Sequence, residues 1–210
     1  KYFRPGRLPH IWCPGCGNGV VTGCIVKAID KLGLDKDNVA VISGIGCSSR
    51  ASGYLDFNTV HSAHGRALPV ATGVKLADPS LKVLVVTGDG DATAIGGNHL
   101  IHAARRNIDM TVVLFNNNIY GMTGGQYSPL TPQGSKATTA PYETIEPAFD
   151  ITELAKAAGA TFVARATTFH AQILADLIAK GMEHKGFSLI EAVSGCPISF
   201  GRQNKMGGPA

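Results

Sequence analysis

Charge is scarce in this chain: Asp, Glu, Lys and Arg make up 16% of 210 residues. No basic run is long enough to form the aromatic-interleaved stripe that nucleic acid requires. An uninterrupted apolar run of about 18 residues, the minimum for a membrane-spanning helix, is also missing, as is a signal-peptide pattern at the start. These absences argue against nucleic-acid and membrane roles, and the expected location is the cytoplasm. Internal repeats and low-complexity tracts are lacking too. With Lys1 at one end and Gly-Gly-Pro-Ala (207–210) at the other, the expectation is a chain trimmed at both ends.

What is plentiful is apolar surface, at 44%, and glycine, at 26 residues, with runs such as Gly88–Gly90, Gly96-Gly97 and Gly124-Gly125. The apolar share marks a globular chain rather than a disordered one. Its length suits a single domain spanning 1–210. Glycine at this density means backbone held close to something, often a phosphate. The net charge of +4 fits an anionic substrate or an acidic partner and decides between neither.

Hydrophobic periodicity alternates short apolar runs with amphipathic ones. Helices are expected over 18–32, 65–77 (despite Pro69), 94–106, 152–158 and 168–183. Strands are expected over 39–43, 82–87, 110–115, 161–164 and 187–193. Apolar strands that each lead into a helix predict an α/β fold, a mostly parallel sheet with helices on both faces. Ligands of such sheets sit at the carboxyl ends of the strands. Here those ends read Gly44-Ile45-Gly46-Cys47, Gly88-Asp89-Gly90-Asp91, Asn116-Asn117-Asn118 and Ser194-Gly195-Cys196-Pro197. Four strands thus bring polar or thiol groups to one rim. The polar stretch 116–147 is too long for a passive loop in a compact domain.

Gly88-Asp89-Gly90 provides backbone that can approach a diphosphate, and the helix after it adds the positive end of its dipole. Asp89 offers a carboxylate, and Asn117, 28 positions later, an amide oxygen. One carboxylate with neutral and phosphate oxygens suits Mg²⁺. Five cysteines are an odd set for a disulfide framework, so metal or cluster ligation is preferred. Cys13 and Cys16 form a Cys-x-x-Cys before the first helix, at about 10–17, while Cys47 and Cys196 follow strands. Four thiolates suit an iron–sulfur cluster or zinc. Cys24 lies on the apolar face of the first helix and reads as a buried, inert thiol.

Gly-Asp-Gly followed by Asn-Asn resembles the thiamine-diphosphate-binding motif. The segment Asn116-Asn117-Asn118-Ile119-Tyr120-Gly121-Met122-Thr123-Gly124-Gly125-Gln126 is similar to its version in the 2-oxoacid:ferredoxin oxidoreductases, and the resemblance to their beta subunits runs from Cys13 to about Met206. The resemblance implies the thiamine-diphosphate-binding (diphosphate-domain) fold. It implies Mg²⁺ on Asp89, Asn117 and the Ile119 carbonyl, and a cofactor site of Gly46, Cys47, His64, Gly88, Gly90, Asp91, Thr123 and Gly124. It also implies a [4Fe-4S] cluster on Cys13, Cys16, Cys47 and Cys196. His64 and Arg50 become candidate catalytic groups, His64 beside the cofactor and Arg50 toward a 2-oxoacid carboxylate.

The implied activity is CoA-dependent oxidative decarboxylation of a 2-oxoacid, with electrons passed to ferredoxin. The 200–206 segment looks most like the 2-oxoglutarate branch, and relatives continue past about 200–210 with a tail absent here. Pyruvate, branched-chain 2-oxoacids and indolepyruvate are the alternative substrates. A zinc-stabilised binding module without redox activity is the alternative of another class. No glutamate has the context expected for the aminopyrimidine ring, so an alpha subunit is expected to complete the site, in a heterodimer or a dimer of heterodimers.

Overall fold

The strand runs are apolar without alternation because both of their faces are covered. In the computed structural model, which describes residues 1–206, six strands form one sheet: β1 (Val39–Ser43), β2 (Asn58–His61), β3 (Lys82–Gly88), β4 (Met110–Asn116), β5 (Phe162–Thr167) and β6 (Phe187–Val193). Their order is β2-β1-β3-β4-β6-β5, and every pairing is parallel. Helices α1 (Asn18–Lys31), α2 (Ala51–Tyr54), α3 (Ala67–Ala77), α4 (Gly97–Arg105), α5 (Ile151–Ala157) and α6 (Ala171–Glu183) divide between the two faces. Val41, Leu84, Val86, Val113, Phe115 and Ile190 pack toward α1 and α6. Their strand neighbours Ile42, Val83, Val85, Val112, Leu114 and Leu189 pack toward α3, α4 and α5. Alternate side chains serve two cores, so the whole run is apolar.

The α/β expectation, the parallel sheet and helices on both faces are all observed. β2 is absent from the sequence reading, for a physical reason: Asn58–His61 is a short edge strand, largely exposed, with no apolar run to mark it. β5 runs to Thr167, beyond the expected 164, because an edge position lets exposed Arg165 and Thr167 belong to a strand. Pro69 is accommodated as the third residue of α3, in the first turn, where no intrahelical amide bond is needed. A π-helical turn, Asp91–Ile95, precedes α4 in place of a regular start, a feature frequent at functional sites. Residues 207–210, the end of the expected tail segment, lie outside the described residues.

β1 leads outward to β2, and the chain then returns to place β3 on the other side of β1. That reversal opens a crevice at the carboxyl ends of β1 and β3, where such sheets bind ligands. The four strands singled out for their endings, β1, β3, β4 and β6, are consecutive in the sheet.

Asp150 caps α5, accepting from the Thr152 and Glu153 amides, and its Oδ1 meets Arg165 Nη2 at 2.8 Å. The Thr152 hydroxyl bond, the Glu153 amide and Arg165 outweigh desolvation and hold its carboxyl down to about 2. A depressed carboxylate stabilises the fold above its unfolded value and loses that contribution as pH falls through the folded one. Asp150→Ala is therefore expected to cost about 1 kcal/mol at neutral pH, read as a lower urea midpoint. The difference from the parent should shrink as pH falls from about 4 toward 2.

Candidate active site

At the end of β3 the chain turns through Gly88-Asp89-Gly90-Asp91, and its two carboxylates have different tasks. Asp91 is buried, and both of its oxygens are committed to protein donors. Oδ1 accepts from His64 Nδ1 at 2.5 Å, Gly65 N at 2.7 Å and Ile45 N at 3.3 Å, while Oδ2 accepts from the Thr87 hydroxyl at 2.7 Å. Asp91 thus ties the β1 and β2 loops to β3 and leaves His64 Nε2 as the ring nitrogen not bound to it. With its carboxylate so engaged, Asp91 positions the residues around the pocket, which it also lines.

Gly44 is required by this arrangement, because a Cβ there would lie 2.0 Å from Asp91 Oδ2. Gly44→Ala should therefore displace the Asp91 clamp and destabilise the fold by about 1–3 kcal/mol, the usual cost of overpacking. Equilibrium urea unfolding measures the loss.

Asp89 faces the other way. It is 4% exposed, and its Oδ2 accepts from the Ser128 hydroxyl at 2.6 Å. Burial pushes its carboxyl up to about 7, overriding the Ser128 and backbone amide bonds that favour the charged form. A buried carboxylate with no cation against it is a costly group. One that lines a cavity with glycine and amide backbone is suited to a divalent cation. From β4, Asn117 reaches the same cavity. Its neighbour Asn116 is fixed through Nδ2 to Glu191 Oε1 at 2.7 Å, and Glu191 also accepts from Arg165 Nε at 2.5 Å. Glu191 is thus a buried scaffold group.

One cavity gathers Gly46, Cys47, His64, Gly88, Asp89, Gly90, Asp91, Asn117, Ile119 and Thr123, with Tyr120 and Met122 beside them. Gly124, with φ +119°, lies just past the lining. Tyr120 carries no assignment in the sequence reading, although it stands inside the Asn-Asn motif. Its hydroxyl donates to the Gly90 carbonyl at 2.9 Å, and its ring occupies the space a Cβ at Gly90 would need, 2.1 Å away. Gly90 is therefore glycine at least in part to admit Tyr120. Burial, with Asp89 and Asp91 nearby, pushes the Tyr120 phenol up to about 12, so it stays a protonated donor. Arg50 is not brought to this cavity. It ends the turn Ser48–Arg50 and is exposed there.

A second cavity adjoins the first. Cys13, Cys16, Cys47 and Cys196 all line it, with Ile11, Trp12, Asn117, Gly121, Met122 and Ile198. Cys47, Asn117, Gly121 and Met122 belong to both cavities. A Cβ on Gly121 would lie 3.5 Å from Cys47 Sγ and 3.6 Å from Cys196 Sγ. Two hydrogen bonds to backbone carbonyls hold the Cys-x-x-Cys segment to the other cysteine loops: Trp12 Nε1 donates to the Cys47 carbonyl at 2.7 Å, and Gly17 N donates to the Gly195 carbonyl at 3.1 Å. Burial raises the Cys16 thiol and pushes Cys47 up to about 11, with the other cysteines adding to both. Among the described residues, no three His, Cys, Asp or Glu side chains converge on a point where one metal ion could sit. The four thiols nevertheless line one cavity. Cys24 is buried, as expected, and its Sγ contacts the Ala171 carbonyl at 3.2 Å.

Residues 44–192 match the family described as thiamine pyrophosphate enzyme, C-terminal TPP binding domain. The chain is 58% identical over 209 residues to the 2-oxoglutarate synthase subunit KorB of Methanothermobacter marburgensis, an alignment covering 100% of this chain and 73% of that one. The chain belongs to this thiamine pyrophosphate enzyme family, among the beta subunits of the 2-oxoacid:ferredoxin oxidoreductases. Another beta subunit with the same name, from Methanocaldococcus jannaschii, is 57% identical over 210 residues, covering 100% of this chain and 78% of that one. A solved 2-oxoglutarate:ferredoxin oxidoreductase from Magnetococcus marinus, with 2-oxoglutarate, coenzyme A and succinyl-CoA bound, superposes with a TM-score of 0.91 at 43% identity, covering 95% of this chain and 67% of that one. For a thiamine pyrophosphate enzyme the Asp89 cavity has a stated cofactor, thiamine diphosphate, and the matched span contains Asp89, Asn117 and Thr123. Cys13, Cys16 and Cys196 fall outside that span.

Proposed function

We propose that this chain is the thiamine-diphosphate-binding subunit of an enzyme that oxidatively decarboxylates 2-oxoglutarate with coenzyme A and passes the electrons through a [4Fe-4S] cluster to ferredoxin. The observation that carries the reading is the pair of adjoining cavities with a common wall of Cys47, Asn117, Gly121 and Met122. One has the buried carboxylate and amide of a diphosphate–Mg²⁺ site, and the other has four thiols. When bound, thiamine diphosphate supplies the nucleophilic carbon and the electron sink for loss of CO₂, and the cluster takes up electrons beside it. Asp89, Asn117 and the Ile119 carbonyl hold Mg²⁺. The backbone of Gly88 and Gly90, with Thr123 and Gly124, holds the diphosphate, and Gly46 lies against the cofactor. His64, oriented by Asp91, presents its free ring nitrogen to the pocket. Cys13, Cys16, Cys47 and Cys196 hold the cluster.

The names and ligands of the relatives support 2-oxoglutarate as the substrate. The chain works as a single domain with an alpha subunit, which supplies the aminopyrimidine glutamate missing here. Among the described residues no helix is long and apolar enough to cross a membrane, and we place the enzyme in the cytoplasm.

Cofactor and metal analysis of the anaerobically purified alpha–beta enzyme tests the reading. About four irons and four sulfides per beta chain, together with bound thiamine diphosphate and Mg²⁺, are expected. Zinc without iron, and no thiamine diphosphate, would sink it.

A further inference from the structure

Ser128 belongs to no motif. It lies in the polar segment after β4, 1% exposed, and its hydroxyl donates to Asp89 Oδ2 at 2.6 Å while accepting from Leu130 N at 3.2 Å. Its own amide donates to the Thr131 hydroxyl oxygen at 2.8 Å, and the Thr131 hydroxyl donates to the Asn118 carbonyl at 2.6 Å. Thr131 N closes the turn on the Ser128 carbonyl at 3.0 Å. A chain of hydrogen bonds therefore runs from the carboxylate at the end of β3 to the backbone between Asn117 and Ile119 at the end of β4. Those are the two halves of the proposed metal site, and no strand pairing extends that far.

We propose that Ser128, backed by Thr131, is a positioning residue for the metal site, fixing the rotation of the Asp89 carboxylate and setting the distance between the two halves. The inference rests on the reading of Asp89 as a Mg²⁺ ligand. A hydroxyl has a single hydrogen to give, and here it goes to Asp89 from a buried side chain. Removing it leaves the carboxylate free to turn. Mg²⁺ tolerates misplaced ligands poorly, and loss of an outer partner of a metal ligand typically costs about 10–100-fold in metal affinity.

The experiment is a Mg²⁺ titration of thiamine diphosphate binding to the intact alpha–beta enzyme, followed by isothermal calorimetry, for the parent, Ser128→Ala, Ser128→Cys, Asp89→Asn and the Asp89→Asn/Ser128→Ala pair. Cysteine fills the serine space with a poorer donor. A role through the hydrogen bond predicts that Ala and Cys both raise the Mg²⁺ requirement, by about 10–100-fold for Ala. It also predicts that Ser128→Ala adds little once Asp89 is already Asn, since the two act as one unit. A parent-like Mg²⁺ requirement in both single variants overturns the proposal. So does a loss confined to Ala, or one of equal size in both backgrounds, because each marks loop packing alone. Should Ser128→Ala not fold, the Cys variant decides. If instead Asp89→Asn binds Mg²⁺ like the parent, the underlying reading of Asp89 has failed, a result distinct from a silent Ser128.

Discussion

Asp89→Asn in the alpha–beta enzyme is expected to weaken Mg²⁺-dependent thiamine diphosphate binding by more than about 100-fold, exceeding the usual loss for an outer partner of a metal ligand. The same change should leave the cofactor-free protein as stable as the parent, or more so. The two effects have one origin. Burial lifts the Asp89 carboxyl to about 7 from an unfolded value of 3.8, so the folded state holds its proton more tightly than the unfolded chain does. The cost of keeping this residue folded therefore grows as pH rises from about 4 to 7 and is constant above that. An amide carries no such cost and can still accept from Ser128. Bound Mg²⁺ reverses the balance by giving the charge a partner. Thermal melts at pH 8 separate the two: the cofactor-free variant should melt at or above the parent, and only the parent should gain stability from thiamine diphosphate with Mg²⁺. A parent-like gain in the variant would show that Asp89 is not a ligand.

The parts of this molecule legible in sequence were those with a local signature. The unbroken apolar runs of β3 and β4 announce a sheet covered on both faces, and the four chemical strand endings fall on four consecutive strands. Gly-Asp-Gly and Asn-Asn are short motifs whose residues act close to where they stand in the chain. What escaped was made by partners far apart in sequence. Ser128 reaches Asp89 across 39 positions, and Trp12 reaches Cys47 across 35. Neither residue type nor spacing marks those bonds. The resemblance places Asp91 among the cofactor residues, and the four donors to its carboxylate come from β3 and the loops after β1 and β2, a convergence only the fold reveals. Arg50 stands apart from the cofactor cavity for a simpler reason. Three residues past Cys47, it has already turned with the helical segment into solvent.

Cys196→Ser should remove iron from the beta chain and bring ferredoxin reduction to background while sparing thiamine diphosphate binding. Cys196 lines the thiol cavity and not the cofactor cavity, so its loss separates the two functions, as Cys47→Ser, which touches both, would not. Cys24→Ser is the matched control. That thiol is 2% exposed between α1 and α6, out of reach of the cavity, and its replacement should leave the iron content and the thiolate-to-iron absorption unchanged. Iron and acid-labile sulfide assays on anaerobic samples, alongside calorimetric cofactor binding, give both answers. Iron retained by Cys196→Ser, or lost from Cys24→Ser, would contradict the four-cysteine assignment. Burial raises the thiols of Cys16 and Cys47, with Cys196 and Cys13 adding to both and Cys16 adding to Cys47, so ionising them together without a cation is unfavourable. Trp12 and Gly17 nevertheless keep their loops in place through backbone carbonyls. The scaffold thus holds in proximity sulfur atoms that repel as thiolates. A cation shared by the four thiols, as in the proposed cluster, would relieve that repulsion, and the thiol cavity meets the cofactor cavity along the wall of Cys47, Asn117, Gly121 and Met122.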